Sequence, residues 1–302
     1  MITLDVSFAG LTLKNPTMLA SGMMGETGAS LTRVSALGAG AVVTKSIGLE
    51  PRYGYPNPTL VELPYGYINA MGLPGPGIEL FAEEMQEARH CGVPVIGSLF
   101  AAVPDDFIEL AGRMKDYGAD AVELNLSCPH AKGYGMEIGI DPQAVGKIIR
   151  EVKGSVDIPL IAKLTPNTHL LVEVAKEAEA AGCDCVAAIN TIKAMAISVE
   201  ARRPLLFNKT GGLSGPAVKP VGLRCVYELA EVLEIPIIGV GGAESGRDVL
   251  EYIMAGASAV QIGSGIGRRG LNVFQEICTE MKELMAANDI QSIQEIVGVA
   301  HV

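Results

Sequence analysis

The sequence predicts a closed, all-parallel (β/α)8 barrel, the TIM-barrel architecture, with a short N-terminal β-hairpin and inserted loops at the reactive end. Three observations carry that expectation. Eight short apolar runs alternate with segments of helical period, and no linker interrupts them, which is the pattern of repeated βα units. The first run is not followed by the Gly-x-Gly-x-x-Gly turn that would favour an open, doubly wound sheet. Hydrophobic residues make up 49% of the 302 and charged residues 19%, which suits strands buried on both faces. One domain over residues 1–302 is expected, because such barrels routinely exceed about 250 residues as a unit.

In chain order, residues 6–14 alternate around Gly10 and read as a hairpin capping one end. The eight runs are 17–20, 41–44, 95–99, 121–124, 160–162, 185–189, 237–240 and 259–262. Helical period appears at 105–117, 141–152, 169–181 and 247–255. Asp141-Pro142 has the form of an N-cap followed by proline in the first turn. Residues 50–77 form a long, non-helical stretch rich in proline and glycine, and 130–140 a second glycine-bearing excursion directly after a strand. Loops of that length are functional or disordered.

Composition removes several classes of function. The net charge of −11 and the lack of a basic stripe argue against a nucleic-acid partner. Mean hydropathy is +0.32, yet no apolar run approaches the roughly 18–20 residues that span a bilayer. The N-terminus has no basic segment leading into an apolar one, so a cytoplasmic location is expected. Six scattered cysteines without a Cys-x-x-Cys pair indicate no disulfide framework, no metal site and no iron–sulfur cluster on this chain.

Barrel chemistry gathers at the C-terminal ends of the strands. Those ends read Ser21-Gly22, Lys45-Ser46, Ser98, Asn125, Lys163, Asn190-Thr191, Gly241-Gly242 and Gly263-Ser264. One lysine or amide at a strand end is an ordinary solvated residue. Eight ends of small, amide or amine type together line a pocket with two ammonium groups, several amides and bare backbone. Gly241-Gly242, just ahead of a helix near Ser245, and Gly263-Ser264 form a candidate phosphate cradle, since glycine lets N–H groups approach an anion. Cys128 lies in the loop three residues past a strand end, followed by Pro129. A thiol there serves as base or nucleophile when its neighbours favour the thiolate. Cys91, Cys183, Cys185, Cys225 and Cys278 read as inert packing residues, and His90, His169 and His301 as surface or packing residues.

The pieces NPTMLASG (15–22), TKSIG (44–48), NAMGLPGPG (69–77) and NLSCPHAKGYG (125–135) occur in order, followed by AKLTPN (162–167) and AINT (188–191). GGLSGPAVKP (211–220), GVGG (239–242) and QIGSG (261–265) complete the set. Together they resemble the dihydroorotate dehydrogenases of the first class over nearly the whole chain. Cysteine where another class uses serine points to that first class, and the chain looks like a catalytic subunit of the NAD-linked B type, similar to archaeal versions. The resemblance implies oxidation of (S)-dihydroorotate to orotate in pyrimidine biosynthesis, hydride passing to FMN while Cys128 removes the proton. It places Ser21, Lys45, Ser46, Ser98, Asn125, Lys163, Ile189 and Gly215 around the flavin, and Gly241, Gly242, Gly263 and Ser264 on its phosphate. It assigns substrate to Lys45, to Asn69, Ala70, Met71, Gly72 and Leu73, and to Asn125, His130, Asn190 and Thr191. It also implies a partner electron-transfer subunit carrying FAD and a [2Fe–2S] cluster, around a homodimer of this chain in a heterotetramer.

Four positions depart from the family pattern. His130 and Gly75 stand where asparagines are usual, Ser98 replaces an asparagine near the flavin, and Ser264 a threonine at the phosphate. Other readings remain: a fumarate-linked A-type homologue, another flavin-dependent dihydropyrimidine or tRNA dihydrouridine reductase, a flavin-free lyase or isomerase on a phosphorylated substrate, or a non-enzymatic binding module. Acidic charge disfavours tRNA, and the two-lysine pattern favours a small pyrimidine.

Overall fold

The structure, a computed structural model, describes residues 2–127 and 138–302. Eight parallel strands close into a barrel: β1 (Thr17–Leu19), β2 (Ala41–Val43), β3 (Val95–Leu99), β4 (Ala121–Asn125), β5 (Leu160–Leu164), β6 (Cys185–Ala188), β7 (Ile237–Val240) and β8 (Ala259–Ile262). Sequence neighbours are barrel neighbours, and β8 closes on β1 with Val260 opposite Thr17. All eight expected runs are barrel strands, their ends shifted by at most two residues. Their residues are buried almost throughout, because helices cover one face and the lumen the other.

The helices, in chain order, are α1 (Gly28–Ala36), α2 (Ile78–Ala88), α3 (Pro104–Asp116), α4 (Pro142–Lys153), α5 (Leu171–Ala180), α6 (Lys219–Ala230), α7 (Gly246–Met254), the short α8 (Ser264–Arg269) and α9 (Val273–Ala287). In α4 the buried Val145, Ile148, Ile149 and Val152 form one stripe at helical spacing. Asp141 caps that helix, accepting from the N–H groups of Gln143 and Ala144 at 3.0 and 3.4 Å. Ser245 and Asp248 form a capping box on α7. At Gly97 in β3 a Cβ would stand 2.1 Å from Met114 Cγ, so that glycine lets α3 lie directly on the strand. No helix among the described residues is long and apolar enough to cross a membrane.

The N-terminal hairpin pairs Val6–Phe8 with Leu11–Leu13. Its turn, Ala9 and Gly10, has φ of 47° and 77°, the sign that a two-residue primed turn requires at both positions. Gly10 lies against Pro159, just ahead of β5, so the hairpin covers the N-terminal end of the barrel as expected.

The stretch 50–77 departs from its reading as plain loop. Leu60–Leu63 and Gly66–Asn69 form a hairpin, and Gly66–Asn69 also pairs with Gly211–Ser214, which pairs with Ile192–Ala194. The excursions after β2 and β6 thus share one four-stranded antiparallel sheet at the C-terminal end of the barrel. The pairing of Gly66–Asn69 with Gly211–Ser214 joins segments more than a hundred residues apart and leaves no trace in local periodicity, and the local hairpin is hidden in the sequence by the prolines and glycines around it.

Candidate active site

Closure of the barrel carries all eight strand ends to one face, and five of the residues found there join in one hydrogen-bonded network branching at Ser46. Ser21 Oγ lies 3.2 Å from Ser46 Oγ, and Ser46 Oγ 2.9 Å from Ser98 Oγ. Asn125 Nδ2 donates to Ser46 Oγ at 3.1 Å, and Asn190 Nδ2 donates to Asn125 Oδ1 at 3.2 Å. A hydroxyl has one donor and two acceptor sites. The three partners of Ser46 fill them, so its orientation is fixed. Asn125 Oδ1 also accepts from the Ser127 N–H at 3.3 Å, and Asn190 Oδ1 from the Thr191 N–H at 2.8 Å. Each carboxamide keeps one N–H without a partner among the described residues. Ser46 and Ser98 are buried, whereas Ser21, Asn125, Asn190 and Thr191 are half-buried: a fixed floor under reachable rims.

Lys163 is held separately. Its ammonium donates to Glu123 Oε1 at 3.3 Å and to Gln261 Oε1 at 2.8 Å, and Gln261 Nε2 donates to Glu123 Oε2 at 2.6 Å. The three side chains close a ring inside the barrel, with Glu123 and Gln261 essentially inaccessible. Neither Glu123 nor Gln261 is among the residues expected from the sequence. A visible signal exists, since each is a polar residue in an apolar run, in AVELN and AVQI. Lys45, also buried, forms an ion pair with Glu26 from the segment after β1. Glu26 was equally unforeseen.

The glycines sit where a side chain has no room. At Gly242, φ is +66° and a Cβ would fall 2.4 Å from the Gly215 carbonyl oxygen. At Gly215, φ is +109° and a Cβ would fall 2.6 Å from Gly66 Cα. Gly241 keeps its carbonyl on the Tyr252 hydroxyl at 2.7 Å. Ile189 is buried and donates its N–H to the Val240 carbonyl at 2.9 Å. Gly263 caps the short α8, which begins at Ser264.

On the shared sheet, Asn69 Nδ2 donates to the Gly212 carbonyl at 3.4 Å, and a Cβ on Gly212 would strike Thr191 Oγ1 at 2.0 Å. Asn69 and Thr191 therefore flank the same strand. In the turn after Asn69, Ala70 donates its N–H to Thr59, the Met71 side chain is exposed, and Gly72 and Leu73 have positive φ.

Cys128 and His130 lie outside the described residues. The remaining five cysteines match their expected inertness: Cys91, Cys183, Cys185 and Cys225 are buried and Cys278 half-buried. Burial pushes the Cys183 thiol up to about 12 and that of Cys185 well above its ordinary value. His90 and His169 are exposed, and His301 stacks on Tyr227 with ring centroids 4.0 Å apart. Among the described residues no group of three or more His, Cys, Asp or Glu side chains is arranged to hold a metal ion.

A sequence model of the family described as dihydroorotate dehydrogenase matches residues 3–285. The chain belongs to the dihydroorotate dehydrogenase family. It is 52% identical over 297 residues to the "Dihydroorotate dehydrogenase B (NAD(+)), catalytic subunit" of Pyrococcus horikoshii, covering 98% of this chain and 97% of that protein. It is 51% identical over 300 residues to the protein of the same name in Thermoplasma acidophilum, covering 99% of each. The corresponding Methanocaldococcus jannaschii protein is 48% identical over 302 residues, covering 99% of this chain and 98% of its own length. The resemblance drawn from the ordered motifs therefore holds, archaeal likeness included. Of the family stretch 125–135, Asn125, Leu126 and Ser127 are described, and they carry the strand-end network up to the residue preceding Cys128.

Proposed function

We propose that this chain is the catalytic subunit of an NAD-linked dihydroorotate dehydrogenase, oxidising (S)-dihydroorotate to orotate at the C-terminal face of the barrel. The observation that carries the reading is the network in which Ser46 joins Ser21, Ser98 and Asn125, and Asn125 joins Asn190, linking residues from five strand ends into one polar floor. That floor, the Gly215–Gly242 backbone cradle and the buried Ser127 Oγ, without a partner among the described residues, fit FMN, a ligand that needs amide and hydroxyl partners along a ring edge and backbone N–H groups at a phosphate. Bound there, the flavin supplies the two-electron acceptor.

The chain's own residues do the rest. Gly241, Gly242, Gly263 and Ser264 offer main-chain donors to the phosphate. Ser21, Ser46, Ser98, Asn125, Lys163, Ile189 and Gly215 hold the ring system. The substrate is a cyclic imide with a carboxylate, so it needs amides that donate and accept together with a cation. The spare N–H groups of Asn125 and Asn190, Thr191, the 69–73 turn and Lys45 meet that need, and His130 completes the set. For Lys45 to reach the substrate carboxylate, its ammonium exchanges the Glu26 partner for the ligand. Cys128 takes the C5 proton.

The carrier of electrons to NAD is a separate subunit with FAD and a [2Fe–2S] cluster, around a dimer of this chain in the cytoplasm. Exposed apolar side chains on the two excursions, among them Tyr53, Leu60, Met195, Ile197 and Phe207, support protein–protein contact there. The test is a visible spectrum of the purified protein, followed by anaerobic dihydroorotate. Yellow protein that bleaches supports the reading, and colourless protein that takes up no FMN refutes it. Turnover with NAD only when the second subunit is present supports the partner, whereas turnover of the lone chain with fumarate refutes it.

A further inference from the structure

We propose that Glu123 is a positioning residue for Lys163, and that its buried carboxylate sets the net charge which the reactive face presents to the redox cofactor. The inference rests on the flavin reading above. Glu123 lies on β4 two residues before Asn125, so both point to the same side of the strand. Asn125 is in turn the register partner of Lys163 on β5. The ring Glu123–Lys163–Gln261 thus lies directly beneath the polar floor.

Packing alone gives no reason for it. Barrel lumens are normally filled with branched apolar side chains, and exchanging a buried ion pair for apolar residues of similar volume is often neutral or stabilising. Lys163 uses two of its three N–H donors on Glu123 and Gln261, so one is left for a ligand at the strand end. Gln261 in turn fastens the second carboxylate oxygen at 2.6 Å. The ammonium is aimed from below, and the carboxylate behind it partly offsets its charge.

Reduction puts negative charge on a flavin, and cations near the ring favour that state. Neutralising Glu123 unmasks Lys163 and should favour reduced flavin; a second carboxylate at position 261 should favour the oxidised form. The experiment measures the flavin midpoint potential of the FMN-loaded chain by reductive titration against indicator dyes, without dihydroorotate. Glu123→Gln is expected to shift the reduced-to-oxidised affinity ratio at least tenfold toward reduced, about +30 mV for a two-electron couple. Gln261→Glu is expected to shift it at least tenfold the other way, and Glu123→Asp, which keeps the charge, to stay nearest the wild type. A merely structural role would not give opposite signs. Shifts of the same sign, or flavin-loaded variants with unmoved potentials, overturn this inference while leaving the flavin reading intact. Wild-type protein that takes up no flavin removes both. If Glu123→Gln does not fold, the sign of the Gln261→Glu shift decides alone.

Discussion

Replacing Lys163 by methionine tests the buried ring without reference to any ligand. Methionine nearly matches lysine in length, so it leaves little cavity, but it strips Glu123 of its only cationic partner among the described residues. The carboxylate then keeps a single neutral donor, Gln261, at a site with no measurable exposure. Removing one member of a buried pair typically destabilises by about 3–5 kcal/mol, because the other charge stays behind without water or counter-ion. Unfolding entropy of about 2.1 cal/mol/K per residue gives this chain roughly 0.6 kcal/mol per degree, so Tm should fall by about 5–8 °C. Glu123→Gln alone should cost a similar amount, by stranding the ammonium. The double variant Lys163→Met/Glu123→Gln removes both charges and should return to within about 1 kcal/mol of the wild type. Calorimetry on the flavin-free protein measures all four corners of the cycle. Single variants within a degree of wild type, or a double variant losing the sum of the two, would mean that the ring is not an obligatory charge pair.

Three further outcomes follow from the site and its frame. Asn125→Asp keeps the acceptor for Asn190 and for the Ser127 N–H but adds a charge and loses the Nδ2 donor to Ser46, whose hydroxyl must turn its own hydrogen to the new carboxylate. Tm should therefore fall by only about 2 °C, the equivalent of about 1 kcal/mol. Orotate at a separation of about 6 Å should bind roughly a hundredfold more weakly, some 2.8 kcal/mol at an effective dielectric of about 20; titration followed by the flavin spectrum checks this, and an unchanged Kd would sink it. Gly242→Ala meets φ +66° and the Gly215 carbonyl oxygen at 2.4 Å, so FMN retention read by fluorescence should drop at least tenfold, and wild-type retention would exclude the cradle. Burial alone would push the Asp248 carboxyl up, yet Lys219, the Glu244 N–H and Ser245 hold it below its ordinary value. A depressed carboxyl stabilises the fold above its unfolded-state pKa of about 3.9 and loses that contribution as pH falls through the folded value. Asp248→Asn should therefore flatten the acid limb of a Tm–pH profile, and an unchanged limb would contradict the assignment.

What was legible in the sequence, and what was not, divides along a physical line. The barrel strands, their helices, the Asp141 cap and the hairpin around Gly10 all follow from local pattern, and each is present. The sheet joining Gly66–Asn69 to Gly211–Ser214 depends on long-range pairing and read only as loop. The site residues divide the same way. Ser21, Ser46, Ser98, Asn125 and Asn190 were recoverable because a closed parallel barrel carries every strand end to one face whatever the details of packing. Their convergence is a consequence of topology.

Glu123 and Gln261 needed more than topology. Period-2 alternation says that Glu123 shares a side of β4 with Asn125, but not which side chains meet it across the lumen. Its partners stand 40 and 138 residues away, and only the barrel's register brings β4, β5 and β8 to the same level. Read within AVELN, the glutamate passes as one polar letter in an apolar run, so the eye assigns it to the strand and not to the site. Yet a carboxylate in a barrel lumen is so unfavourable without a partner that its presence already implies a cation at the same level. Of the lysines near strand ends, Lys163 is the one on the neighbouring strand, two residues past the register partner of Glu123. The pair could therefore have been inferred from energetic necessity where pattern alone failed. A charged residue inside a barrel strand is better read as half of an interaction than as an exception to the pattern.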